Sequence, residues 1–194
     1  MKEKQMKVCR FIFLSSVMVF MLSCQVREND TSNTIIHVSS GSTVYKSFKT
    51  WILTKSHNFS EDGKDTGFMY DNTGEPSLKA TSFIYPGGLN LNDKDIQNHQ
   101  NEIISAAVSN YDSYKIILSD YGTFSKNGNV YPSCFTVINF KKSEYSYTTI
   151  ITLIYVKNWF VKNRITVLEE AFDRSSTDIQ EFIQKTPIPL KEFY

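Results

Sequence analysis

Cysteine is scarce: Cys9, Cys24 and Cys134 are the only three in 194 residues. A disulfide framework therefore does not organise the fold. Histidine is equally sparse. His37, His57 and His99 stand 20 and 42 residues apart, with none of the short spacings that bring two ligands onto one zinc ion. No Gly-x-Ser-x-Gly elbow, phosphate-cradling glycine loop or dinucleotide fingerprint occurs, so the common motif-bearing hydrolases, kinases and dehydrogenases are excluded. No apolar run approaches the ~20 residues that a transmembrane helix needs. Lys and Arg total 21 against 20 Asp and Glu, a balance without the basic excess of nucleic-acid binding.

The first residues carry the most specific signal. Lys2, Lys4, Lys7 and Arg10 stand against the single acid Glu3, and an apolar stretch from Phe11 to Leu22 is interrupted only by Ser15 and Ser16. Roughly 12 apolar residues after a basic start is the length of a signal-peptide core. The stretch ends in Met21-Leu22-Ser23-Cys24, which resembles the lipobox of bacterial lipoproteins. That family prefers Leu three residues before the cysteine; here Met21 holds the place, with Leu22 beside it. The resemblance implies cleavage after Ser23, a diacylglyceryl thioether on Cys24 and acylation of its new amine. Several acyl chains on one residue exceed the single-chain limit of marginal binding, so Cys24 is expected to anchor the chain to a membrane. Gln25 replaces the Asp that retains some lipoproteins in the inner membrane. The expected address is the outer membrane, with the domain facing the periplasm or the cell surface. Glu28 and Asp30 favour surface display and Arg27 opposes it.

Residues 1–23 hold four of the 21 bases and one of the 20 acids, leaving 17 and 19 and a formal charge of −2. Cys134 then stands alone inside an apolar strand, as a buried small hydrophobe without a base nearby in sequence. Residues 24–34 are polar apart from Val26 and read as a tether. Residues 35–194 suit one domain. Tyr, Phe, Ile and Thr abound, so strands should outweigh helices.

Strands are expected at 35–38, 44–54, 68–70, 77–85, 114–118, 130–140, 147–156, 160–161 and 164–168, with a loop over 55–67. The strand at 147–156 is apolar at both parities and belongs inside the sheet. Ile96, Gln100, Ile103, Ile104, Ala107 and Tyr111 share one face of a helix over about 93–111, capped by Asn92 with Asp95. Lys126-Asn127-Gly128-Asn129 is a tight-turn signal. Thr177 and Gln180 form a capping box for a short helix over about 177–185. The fold class is α+β: an antiparallel sheet of about six or seven strands with both helices packed on it. The strand running into Ile84-Tyr85-Pro86-Gly87-Gly88, the long helix, and the strands ending in the helix at Thr177–Lys185 resemble the PsbP-like domain and its bacterial lipoprotein relatives over residues 44–186. The resemblance implies a sheet with helices on it and no shared catalytic constellation.

Few residues stand out as sites. Asn58, Ser60 and Asp62 alternate before Gly63 as in a calcium loop, but Met69 occupies the twelfth position, where a bidentate Glu is required. Glu169 and Glu170 are expected at a strand end, pointing to opposite faces and unable to act as an acid/base pair. Trp159 and Phe160, flanked by Lys157, Asn158, Lys162 and Asn163, either offer a stacking surface to a ligand or partner, or divide between the core and the sheet edge. His99 is placed on the polar flank of the long helix, in solvent. No catalytic residue, metal or cofactor is expected. The expected function is that of a membrane-anchored envelope lipoprotein, non-enzymatic, binding a partner protein or small ligand. A structural envelope component and an enzyme with dispersed residues are the alternatives.

Overall fold

The computed structural model describes residues 35–37 and 40–190. The expected signal peptide, Cys24 and the expected tether lie outside them. The chain forms β1 (Ile35–His37), β2 (Thr43–Tyr45), β3 (Ser47–Phe48), β4 (Trp51–Asn58), β5 (Thr66–Asn72) and β6 (Lys79–Pro86). Helix α1 (Asp93–Val108) follows, then β7 (Ser113–Lys126), β8 (Asn129–Lys142), β9 (Tyr145–Val156) and β10 (Trp159–Leu168). A 3-10 turn (Glu169–Ala171) leads to helix α2 (Ser176–Gln184).

Eight strands form one sheet in the order β3-β4-β5-β6-β10-β9-β8-β7, while β1 and β2 make a separate ribbon. Every neighbouring pair is antiparallel. Two four-strand meanders thus run in opposite directions and join in the middle, β6 against β10. The α+β class and antiparallel sheet match the sequence, but the strand count is eight. The segment 44–54 is divided among β2, β3 and β4, and Lys49, with a left-handed φ of 47°, turns the chain between β3 and β4. Residues 55–58 extend β4 instead of forming a loop, since pairing with β5 needs no apolar side chain on an open face.

Tight turns hold the second meander in register. Asn127 and Gly128, at φ 51° and 76°, make the β7–β8 hairpin, and Lys157 and Asn158, at 51° and 66°, make the β9–β10 hairpin. Left-handed pairs of this kind match the twist of the strands they join. The β9–β10 turn fuses the two expected fragments 160–161 and 164–168 into one ten-residue strand.

Alternation sorts the side chains into two layers. Ile150, Ile154 and Val156 of β9 with Trp159, Val161, Ile165 and Val167 of β10 point into the larger core. There α2 packs through Ile179, Phe182 and Ile183. On the other face, Ile96 of α1 meets Cys134, Leu153 and Phe160, and Ile104 meets Ile138 and Ile151. Both faces of β9 are covered, as its sequence requires.

Helix α1 is capped as expected: the Asn92 side chain accepts from Lys94 N and Asp95 N, and Asp95 accepts from Asn92 N. It ends at Val108, three residues before the expected limit. Tyr111 still turns toward the sheet, stacking on Phe140 at 3.7 Å and 11°, but it does so from the turn after the helix. Helix α2 is preceded by Ser175, whose side chain makes no cap bond, so the Thr177–Gln180 box does not form. Its N-terminus is held instead by β4 and the turn before it: Trp51 Nε1 donates to Asp178 O at 3.0 Å and Thr50 Oγ1 to Asp178 Oδ1 at 2.8 Å.

Candidate functional site

The connection from β6 in mid-sheet to β7 at the far edge carries α1 across one face of the sheet, where its apolar stripe settles over β8 and β9. A groove remains between the helix and the exposed faces of β6 and β10, with a volume of about 620 Å³. That is within the ~300–1,000 Å³ of small-molecule sites. The helix wall is Glu102, Ile103, Ala106 and Ala107, and Ile151 and Phe83 supply apolar floor. Lys79, Thr81, Lys162, Arg164 and Thr166 supply the polar groups. The register explains their proximity: Lys162 lies opposite Phe83, Arg164 opposite both Thr81 and Ile151, and Thr166 opposite Lys79.

The three cations differ in their surroundings. Lys79 pairs with Asp71 at 3.0 Å. Lys162 extends its ammonium over Phe83, 4.5 Å from the ring centroid, and lies 5.8 Å from that of Tyr85. Arg164 donates to the Tyr111 hydroxyl. Neither Lys162 nor Arg164 reaches a carboxylate at ion-pair distance among the described residues. Burial, and then the neighbouring Arg164 charge, push the Lys162 ammonium below the usual lysine range; the Asp65 carboxylate, beyond ion-pair distance, works the other way.

Beside the groove, His99 departs from its expected place in solvent. Its ring packs 4.5 Å from Phe160, its Nε2 meets the Tyr85 hydroxyl at 2.9 Å, and its Nδ1 meets Glu102 Oε2 at 3.2 Å. A hydroxyl, an imidazole and a carboxylate in line have the order of a nucleophilic relay. The chemistry opposes that use, because burial and then the Asp65 charge push the Tyr85 phenol far up, away from ionisation. The relay fixes the helix on the sheet.

Trp159 and Phe160 are 3% and 4% exposed and point to opposite faces, Trp159 into the large core and Phe160 under α1. Neither ring offers a free surface for stacking; adjacent residues of a strand interior to the sheet alternate between two covered layers. Trp51 is fully buried, and Cys134 is 3% exposed, as expected of a small hydrophobe in an apolar strand. Burial and then the Asp120 charge push the Cys134 thiol up to about 11. Glu169 and Glu170 lie in the 3-10 turn and not at a strand end, and Asn139 Nδ2 donates to Glu169 Oε1 at 3.1 Å. In the 59–65 loop, Asp62 is engaged by Ser60 Oγ, Lys64 N and Lys64 Nζ at 2.8, 3.1 and 3.0 Å.

Sequence reasoning missed the groove. Its signal was the alternation in β10, where Lys162, Arg164 and Thr166 interleave with the buried Val161, Ile165 and Val167. A strand paired on both sides yet polar on one face marks a sheet face left uncovered.

No protein-family model matches the chain, and no curated protein sequence matches it. Solved structures do. Cyanobacterial PsbP (CyanoP) from Synechocystis has a TM-score of 0.51 at 10% identity, over 86% of this chain and 97% of that one. The Ran-binding protein Mog1p of Saccharomyces cerevisiae has 0.46 at 11%, over 81% and 93%. LpqN, involved in cell envelope biogenesis of Mycobacterium tuberculosis, has 0.43 at 12%, over 84% and 87%. The first likeness places the described domain in a PsbP-like fold. Fold alone carries no activity.

Proposed function

We propose that this chain is a lipid-anchored lipoprotein of the bacterial envelope, exported by residues 1–23, tethered by residues 24–34 and acting through the domain at 35–194. The domain is non-enzymatic and binds a small ligand or a segment of a partner protein between α1 and the open face of β6 and β10. The observation that carries the binding reading is the groove of about 620 Å³, with Ile103, Ala106 and Ala107 on its helix side and Lys79, Lys162 and Arg164 among the apolar residues of its sheet side. The basic start, the short apolar core and Met21-Leu22-Ser23-Cys24 support the anchor. An outer-membrane address follows from Gln25 after the lipidated cysteine.

Two measurements test the reading separately. Mass spectrometry of the protein from membranes is expected to find Cys24 as the N-terminal residue bearing acyl groups, and Cys24→Ala is expected to leave the membrane fraction. An unmodified Cys24 within a longer chain overturns the anchor. For the groove, Ala106→Trp places a large ring in the cleft from an exposed helix position. Crosslinking and affinity capture from membranes are expected to recover a ligand or partner with the wild type and to lose it with Ala106→Trp. Equal recovery by both overturns the groove as the binding site.

A further inference from the structure

Lys162 and Arg164 are two residues apart on the groove side of β10, so their backbones are roughly 7 Å apart along the strand. Both are half-buried. Lys79, at the groove's other end, pairs with Asp71, whereas neither Lys162 nor Arg164 has a carboxylate at ion-pair distance among the described residues, and Asp65 acts on Lys162 only from beyond that distance. Two like charges held together in a partly desolvated cleft oppose each other and favour a shared anion. Arg164 is already aimed, since its guanidinium donates to the Tyr111 hydroxyl while Tyr111 stacks on Phe140. A guanidinium fork held in this way suits the planar, two-oxygen geometry of a carboxylate. The facing helix wall has the opposite character. Ala106 and Ala107 are short enough to leave width, and Ile103 adds apolar surface.

We propose that the groove binds a small organic carboxylate, its charged end bridging Lys162 and Arg164 and its apolar body lying along Ile103, Ala106 and Ala107. This rests on the groove being the binding site and names what the site takes. Glu102 at the rim is drawn toward His99 Nδ1, at 3.2 Å, and so leaves the two cations to the ligand. A bare inorganic anion meets only the cations, and an apolar amide meets only the wall. The site therefore selects a molecule that has both parts.

The test titrates 3-phenylpropanoate, its neutral amide and inorganic phosphate into the full-length protein in lipid nanodiscs, with empty nanodiscs as the blank. The carboxylate is expected to bind at least about tenfold more tightly than either of the others, the difference made by one charge-assisted contact. Lys162→Gln with Arg164→Gln is expected to remove that preference, and Lys162→Arg, which keeps the charge, to retain it. Ala106→Trp blocks the cleft without touching a charge and is expected to abolish carboxylate binding, which keeps the test decisive should the double variant not fold. Equal affinity for carboxylate and amide overturns the proposal, as does a preference that survives the double substitution or Ala106→Trp. If no probe binds while Ala106→Trp still abolishes capture from membranes, the ligand class is wrong and the groove function stands. If no probe binds and capture is also unaffected, both readings fall.

Discussion

Phe182 stands on the buried face of α2 and is 3% exposed. Its ring centroid lies 4.8 Å from Trp51, 5.2 Å from Tyr70 and 6.0 Å from Phe48. It is thus the ring through which the C-terminal helix grips β3, β4 and β5. Phe182→Ala removes the transfer free energy of the ring and leaves a cavity bounded by three aromatics in strands that cannot collapse inward. Burial loss of this kind costs about 3–5 kcal/mol, and the lost ring pairs keep the expected value off the lower end, at ~4 kcal/mol. For a chain of this length the melting point should fall by roughly 8–16 °C. Urea unfolding followed by tryptophan fluorescence is the assay, because Trp51 is one of only two tryptophans and touches the substituted ring. The midpoint should drop with an unchanged slope, as the same surface is exposed on unfolding. A loss below about 1.5 kcal/mol, the cost of a minor contact, with Trp51 emission unaltered would refute the docking of α2 through Phe182.

Other expectations come from single sites. Cys134 is buried and its thiol is pushed up to about 11, so iodoacetamide should leave it unmodified in the folded protein and alkylate it on unfolding; rapid native labelling seen by mass spectrometry would contradict its burial. Gly67→Ala would set a methyl 2.9 Å from both Phe59 Cε2 and Phe83 Cε1. Because Phe59 is exposed and can swing aside, the expected cost is only about 1–2 kcal/mol in urea unfolding, and a neutral substitution would show that the two rings do not close over the glycine. Asn92→Ala removes the acceptor for Lys94 N and Asp95 N and should cost about 1 kcal/mol, while Asn92→Asp should keep most of it; equal losses would deny the cap. Lys162 loses its proton more readily folded than unfolded, so its charged form opposes folding below the folded value, and that opposition is relieved as pH rises toward the unfolded one. Lys162→Met should therefore be more stable than wild type near pH 7, with the gap narrowing near about pH 10, as read from urea midpoints; a less stable variant near neutrality reverses the sign and defeats the argument.

Elements whose determinants are local were legible in the sequence. The capped start of α1 rests on Asn92 and Asp95 within one turn, the β7–β8 hairpin on Asn127 and Gly128, and the interior place of β9 on apolar residues at both parities. What escaped depends on partners distant in sequence. Phe160 and Trp159 look alike in a polar neighbourhood, and only the arrival of α1 on one side and the larger core on the other buries both. His99 has a polar helical context, yet Phe160 and Tyr85, brought by β10 and β6, draw its ring inward. The Thr177–Gln180 box is a sound local signal that lost to tertiary bonds from Thr50 and Trp51 to Asp178. The groove was hidden for the same reason: the polar face of β10 reads as solvent-facing until β6 and α1 are placed beside it.

The position of the groove follows from the topology. A 16-residue helix about 10 Å across spans about two strands spaced roughly 4.8 Å apart. One helix therefore cannot cover one face of an eight-stranded sheet. Its apolar stripe chooses β8 and β9, where Ile138, Ile151 and Leu153 wait, and the remaining face must be tolerable to water. The chain meets that demand with Lys79, Lys162 and Arg164, but among the described residues only Lys79 of these three has a carboxylate at ion-pair distance. Solubility is served equally well by scattered charge, whereas two like charges side by side in a partly desolvated cleft oppose each other and cost stability. The unpaired half of the open face is therefore the part of this fold that stability does not explain, and a bound carboxylate accounts for it.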